Sequence, residues 1–179
     1  MLTRPMDYVR NDHIAPFIEN HVPNLWAYYC SWQGNKVGNR FFAMPSYRNR
    51  ILGVQMYKAN LRGFLHWGYN FYNSERSVQS VIPFVEAGAD HAFPDGDSFS
   101  VYPASDGTAL ESLRMVVFHE ALQDMRVLQL CASLYGKYAV IETLEDELGE
   151  IKFDVCPTSA APLLRAREKI NQMIKDKVK

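Results

Sequence analysis

The sequence predicts an α/β chain with parallel strands, and three stretches carry that prediction. Residues 25–30 (Leu-Trp-Ala-Tyr-Tyr-Cys) form a continuous apolar run, as expected for a strand in a sheet covered on both faces. Residues 47–60 follow with partly helical spacing of apolar positions, and residues 63–67 (Gly-Phe-Leu-His-Trp) read as a second short strand. Strand, helix and strand make one βαβ unit, with parallel strands and a right-handed crossover. Lastly, residues 109–135 place Leu110, Leu113, Val117, Ala121, Leu128 and Cys131 at steps of three, four or seven, which gives a long helix one apolar face.

In chain order, Asp12 is a fitting cap for a short helix through Asn20, in a segment interrupted by Pro5, Pro16 and Pro23. The first strand is followed by a loop with two glycines over residues 31–39. Ser46 is placed to cap the helix of residues 47–60, within which Gly53 either weakens the helix or permits close packing. After the strand at 63–67 comes an unusually long loop, residues 68–97, and a loop of that length in a compact domain is usually functional. Residues 99–102 read as a third strand closed by Pro103, and Asp106-Gly107 as a turn. Gly136 is a natural stop for the long helix. A short acidic helix over 141–147 ends at Gly149, and a terminal helix over 161–175 carries its basic residues at its C-terminal end, where they suit the helix dipole.

Composition narrows the function. The chain has 179 residues, 47% hydrophobic and 22% charged, enough for one domain with a sizeable core. A formal charge of −1 gives no electrostatic case for nucleic acid or an anionic membrane as partner. Cys30, Cys131 and Cys156 are far apart, fit no metal-ligand spacing and suggest no disulfide framework; they read as core thiols. No His/Cys/Asp cluster has metal-ligand spacing and no phosphate-binding loop or nucleophile elbow is present, so no metal or other cofactor is expected. The N-terminal stretch lacks the apolar segment of a signal peptide and no run is long enough to span a bilayer, so the default expectation is a cytoplasmic protein.

The aromatic share is high, 13%, and much of it falls between Trp26 and Tyr72. Residues 63–72 (GFLHWGYNFY) end a strand in a loop crowded with rings next to amide and imidazole groups. That is what a sugar subsite requires, since rings cover the apolar faces of a pyranose and polar groups fix its hydroxyls. The same rings also suit a core. Trp67, Tyr69 and Asn70 are the leading ligand candidates. Trp26 and Tyr28 share one strand face, with sugar contact or core filling as their two readings. His66 fits either a ligand contact or a buried hydrogen-bonded imidazole, and alternation points it away from Trp67. Asp97 either accepts hydroxyl donors or caps the turn before the third strand. Arg114 and Asp124 read as structural, an arginine near a carboxylate locking helix to loop.

Three ordered blocks carry a family resemblance. Gly63, Leu65, Trp67, Gly68, Asn70 and Tyr72 form the first; Gly96, Asp97, Tyr102, Pro103 and Gly107 the second; Ser112, Leu113, Arg114 and Asp124 the third. With residues 25–30 and 50–53 upstream, the pattern resembles the C-terminal part of the DUF4091 proteins, which are related to glycoside hydrolase family 123. The resemblance covers residues 25–130 and implies the C-terminal portion of a (β/α)8 barrel. On that reading residues 1–179 are a single, incomplete barrel domain, with family-like βα units over 25–135 and a helical extension over 136–179. It also implies hydrolysis of N-acetylhexosamine-type glycosides. In the family's mechanism the sugar's own acetamido oxygen attacks the anomeric carbon, an Asp steadies the acetamido group and a neighbouring Glu is the acid, a known departure from the two-carboxylate scheme. The family's Asp-Glu pair belongs to an earlier strand. Glu145-Asp146 has the reverse order and lies in a late acidic helix, so it is not assigned as catalytic. The implied substrate-binding set is Trp26, Tyr28, His66, Trp67, Tyr69, Asn70, Asp97 and Tyr102, with a glycan as ligand and no catalytic residue. Unpaired strand edges make a second copy, or an N-terminal barrel portion, the expected protein partner. The competing expectation is a non-catalytic glycan-binding or self-associating protein.

Overall fold

The computed structural model describes residues 3–5, 23–31, 34 and 37–178, with the backbone alone for 3–5. The helix expected over residues 12–20 lies outside the described residues. The architecture is mixed α/β. Strands β1 (Thr3–Pro5), β2 (Trp26–Tyr29) and β3 (Gly63–His66) form a parallel sheet in that order. Trp26 pairs with Gly63 and Tyr29 with His66, as expected for the βαβ unit.

Burial along β2 alternates, with Ala27 and Tyr29 buried and Trp26 and Tyr28 half-buried. The continuous apolar run therefore does not mean equal cover on both faces. Tyr29 sits edge-on to Phe64 at 5.1 Å on the core side, where Leu25, Ala27, Leu52, Met56 and Leu61 join them. On the other face Trp26 lies across Gly63, and any Cβ at Gly63 would overlap the indole.

The crossover helix is two segments, α1 (Ser46–Arg50) and α2 (Leu52–Lys58), joined at Ile51, which keeps right-handed helical angles. Ser46 is not the cap: the extended Pro45 occupies that position and its carbonyl accepts the Arg48 amide at 3.0 Å. Gly53 does permit close packing, since a Cβ there would run into the Ala121 carbonyl of the long helix.

The third strand departs from expectation. It covers β4 (Val101–Pro103) and stands outside the parallel sheet, pairing antiparallel with β5 (Ala109–Glu111). The turn Asp106-Gly107 makes the hairpin. Ala104 donates to the Thr108 carbonyl at 2.9 Å, and Gly107 has φ 84°. Leu110 satisfies the helical period but sits in β5 with 49% exposure, so the long helix starts later. That helix, α3 (Leu113–Tyr135), is capped by Ser112, whose hydroxyl accepts the Met115 amide and donates to the Ser100 carbonyl. Gly136 ends it as expected. The acidic helix is longer than expected, α4 (Lys137–Leu148), and the terminal helix α5 (Ala161–Val178) runs a turn further. Leu128, Cys131, Val140, Leu144, Leu163 and Ile170 fill a second core between these helices and α2. All three cysteines are free thiols. No helix among the described residues is long and apolar enough to cross a membrane.

Candidate functional site

The strand β3 ends at His66, and the chain turns at once, so the alternation that would set His66 opposite Trp67 stops there. Both side chains reach Asp97. The Trp67 indole Nε1 donates to Asp97 Oδ2 at 2.9 Å, and the Ser31 hydroxyl donates to the same oxygen at 2.7 Å. His66 Nε2 faces Asp97 Oδ1 at 3.5 Å, too long for a good hydrogen bond. His66 Nδ1 lies 3.0 Å from the Gly68 carbonyl oxygen and 3.2 Å from the Gly68 amide, so Gly68 holds the ring in either tautomer. Burial lowers the His66 pKa against the raising effect of Asp97, and the charge of Arg40 lowers it further.

Asp97 itself is 0% exposed. It is therefore a hub behind Trp67, and the indole it holds remains 37% exposed. Phe71 and Phe93 pack edge-on against that indole at 5.4 and 5.1 Å. Tyr69 beside it is 51% exposed, and Asn70 is exposed at an antiparallel bridge to Phe99.

Arg40 completes this region, and nothing in its sequence setting marks it. It is 3% exposed, with its guanidinium 4.3 Å from the Phe118 ring centroid and 5.1 Å from that of Phe64. Its Nε and Nη2 have no hydrogen-bond partner among the described residues. Burial lowers its pKa to about 10, opposed by Tyr29 and by the charge of Asp97.

The structure divides the predicted residues. His66, Trp67, Tyr69, Asn70 and Asp97 gather at the end of β3. Trp26 and Tyr28 lie on the half-buried sheet face with Leu65, away from His66. Tyr102 is elsewhere again, stacked on Phe84 at 4.9 Å. Arg114 does lock α3 to the long loop, but through carbonyl oxygens of Arg40, Gly96 and Phe99 rather than a carboxylate. Asp124 is held by Arg50, through bonds of 2.7 and 3.0 Å, and by Arg167. The acidic run also reads on as Asp146-Glu147, in the order of an Asp-Glu pair. Glu147 is taken up by Arg165 and Lys169 at 2.7 Å each and Glu145 by Lys58 at 2.6 Å, so α4 carries ion pairs on the helical flank.

Phe93, Phe42 and Phe84 were not singled out from the sequence. Phe93 has a legible signal, since it precedes the Asp95-Gly96-Asp97 turn that delivers Asp97. Among the described residues no group of three or more His, Cys, Asp or Glu is arranged to hold a metal ion.

On this α/β scaffold a solvent-facing indole is thus held from behind by a buried carboxylate, and an exposed tyrosine and asparagine follow it in the chain. The family of the glycoside hydrolase 123 catalytic domain matches residues 5–131, more than half of the chain. The chain belongs to that family. A comparison with curated proteins returns no match.

Proposed function

We propose that this chain supplies sugar-binding residues for the hydrolysis of N-acetylhexosamine-type glycosides, as the C-terminal part of a (β/α)8 barrel whose catalytic Asp-Glu pair lies outside it. The single observation behind this reading is Trp67, a ring kept open to solvent while its Nε1 is tied to Asp97. Trp67 and Tyr69 offer faces to a pyranose, and Asn70 offers an amide to its hydroxyl or acetamido groups. Trp26 and Tyr28 form a further half-exposed wall. His66 and Asp97 position the indole. The parallel order β1-β2-β3 is compatible with a barrel segment.

A second reading has its own observation. Leu65 is 44% exposed on the same sheet face as Trp26 and Tyr28, an apolar surface suited to a second copy in a non-catalytic, glycan-binding or self-associating protein.

The test is tryptophan fluorescence during titration with N-acetylgalactosamine, alongside hydrolysis assays with an N-acetylgalactosaminide. Binding that Trp67→Ala weakens about tenfold or more, without turnover, is the expected result. Wild-type affinity in Trp67→Ala overturns the site. Turnover by this chain alone overturns the missing acid and turns attention to Glu75, Asp95 and Asp97.

A further inference from the structure

A second concave surface lies outside the Trp67 site. It is a cleft of about 460 Å3 lined by Phe42, Phe84, Tyr102, Glu86, His91 and Asp95, among others. Its size falls within the usual range for small-ligand sites, roughly 300–1,000 Å3. Phe84 and Tyr102 stack at 4.9 Å with 23° between their planes, yet Phe84 stays 62% exposed. Phe42, 45% exposed, also lines the cleft, with the guanidinium of Arg114 4.7 Å from its ring centroid.

The polar groups divide into frame and contact. Glu86 belongs to the frame: its oxygens accept the amides of Gly88 at 2.6 Å and Asp90 at 2.7 Å. Asp95 differs. Its carboxylate is exposed and has no side-chain partner among the described residues, while its backbone carbonyl accepts the Phe42 amide at 2.9 Å. His91 adds an exposed imidazole. Among the described residues no lysine or arginine lines the cleft, which disfavours a phosphate or carboxylate ligand. Open ring faces beside a free acceptor and an imidazole match a neutral pyranose.

The cleft and the Trp67 site share one loop. Phe93 packs on Trp67 at 5.1 Å, while Glu86, His91 and Asp95 of the same loop line the cleft. We propose that the cleft is a second glycan subsite, taking a neutral sugar residue of an oligosaccharide. In naming the ligand class this rests on the sugar-binding reading given above.

The test is calorimetric titration of the full chain with N-acetylgalactosamine and with a β-linked tetrasaccharide ending in that sugar. Wild type is compared with Phe84→Ala, Asp95→Asn and Trp67→Ala. Phe84 and Asp95 are exposed, and circular dichroism checks that each variant folds. The tetrasaccharide is expected to bind about tenfold more tightly than the monosaccharide, with Phe84→Ala and Asp95→Asn each removing most of that factor while monosaccharide affinity stays within about twofold. Wild-type tetrasaccharide affinity in both cleft variants, or no gain from the longer ligand, overturns the proposal. A tetrasaccharide that binds through Phe84 while the monosaccharide does not bind at all sinks the Trp67 reading and leaves the cleft standing. If neither ligand binds, both fall.

Discussion

Asp97 and Asp124 are buried to a similar degree, at 0% and 5% exposure, yet they do opposite things with their charge. Asp124, on the helical flank, meets two arginines whose side chains keep 23% and 26% exposure, so its ion pairs remain in touch with water. Asp97, at the end of the sheet, is met by the neutral donors of Ser31 and Trp67 and by an imidazole that burial keeps neutral. The charges opposite to its own belong to Arg114 and to Arg40, the latter a guanidinium packed between two phenylalanine rings. The difference teaches what each half is for. The flank uses its aspartate to join α3 to α1 and α5, where a direct pair suffices. The sheet end keeps a buried polar cluster that is incompletely paired among the described residues, and such clusters are retained at functional sites more readily than in plain scaffolds.

Removing each aspartate breaks the comparison most directly. Asp97→Ala removes a negative charge that favours the buried Arg40 guanidinium and strips two donors of their acceptor, and is expected to cost about 3–5 kcal/mol in urea unfolding. Adding Arg40→Met should restore more than half of that loss, because an apolar chain of similar length suits the space between Phe64 and Phe118. No recovery in the double variant disproves the role assigned to Arg40. Asp124→Ala is expected to cost less, about 2 kcal/mol, since Arg50 and Arg167 can turn toward solvent. If its unfolding midpoint falls further than that of Asp97→Ala, the ranking of the two sites is reversed.

The smallest expected effect is a pH dependence confined to the sheet end. Burial holds the folded pKa of His66 below its usual 6.5, so between those values the unfolded chain binds the extra proton. The stability from His66 is complete above about pH 6.5 and is lost as pH falls through the lower folded value, at no more than about 1.4 kcal/mol per unit. Glu145 also loses stability in acid, but below its usual 4.5, because the Lys58 bond holds its carboxyl down. Urea midpoints measured from pH 7.5 to 5 should therefore decline in wild type and stay flatter in His66→Gln. Equal slopes remove His66 as the cause.

The βαβ unit was legible because its two strands and their connection lie close in sequence and each carries its own apolar signature. The end of β3 was legible as a site because its rings and amides are contiguous from Trp67 to Tyr72. The hairpin was not, since Leu110 fits a helical period and a strand equally, and the pairing of Val101 with Glu111 decides between them. The hub role of Asp97 was hidden for a different reason. Its partners Ser31 and Trp67 lie 66 and 30 residues away, and no local pattern reports a contact over such a distance. Arg40 gave no signal at all: a lone arginine after a glycine-containing loop looks like a solvated residue until Phe64 and Phe118 close over it.

The loop anchored by Glu86 has one more consequence. Ala89, Asp90 and His91 hold φ of 55°, 64° and 64°, a left-handed run that side chains other than glycine resist. Burial pushes the Glu86 carboxyl up, but the amides of Asp90, Gly88 and His91 outweigh it and keep the group ionised as their common acceptor. The conformational entropy of this segment is thus surrendered when the chain folds, before any ligand arrives. A ligand meeting either side of the loop meets backbone that these bonds already hold, which lowers the ordering cost of binding.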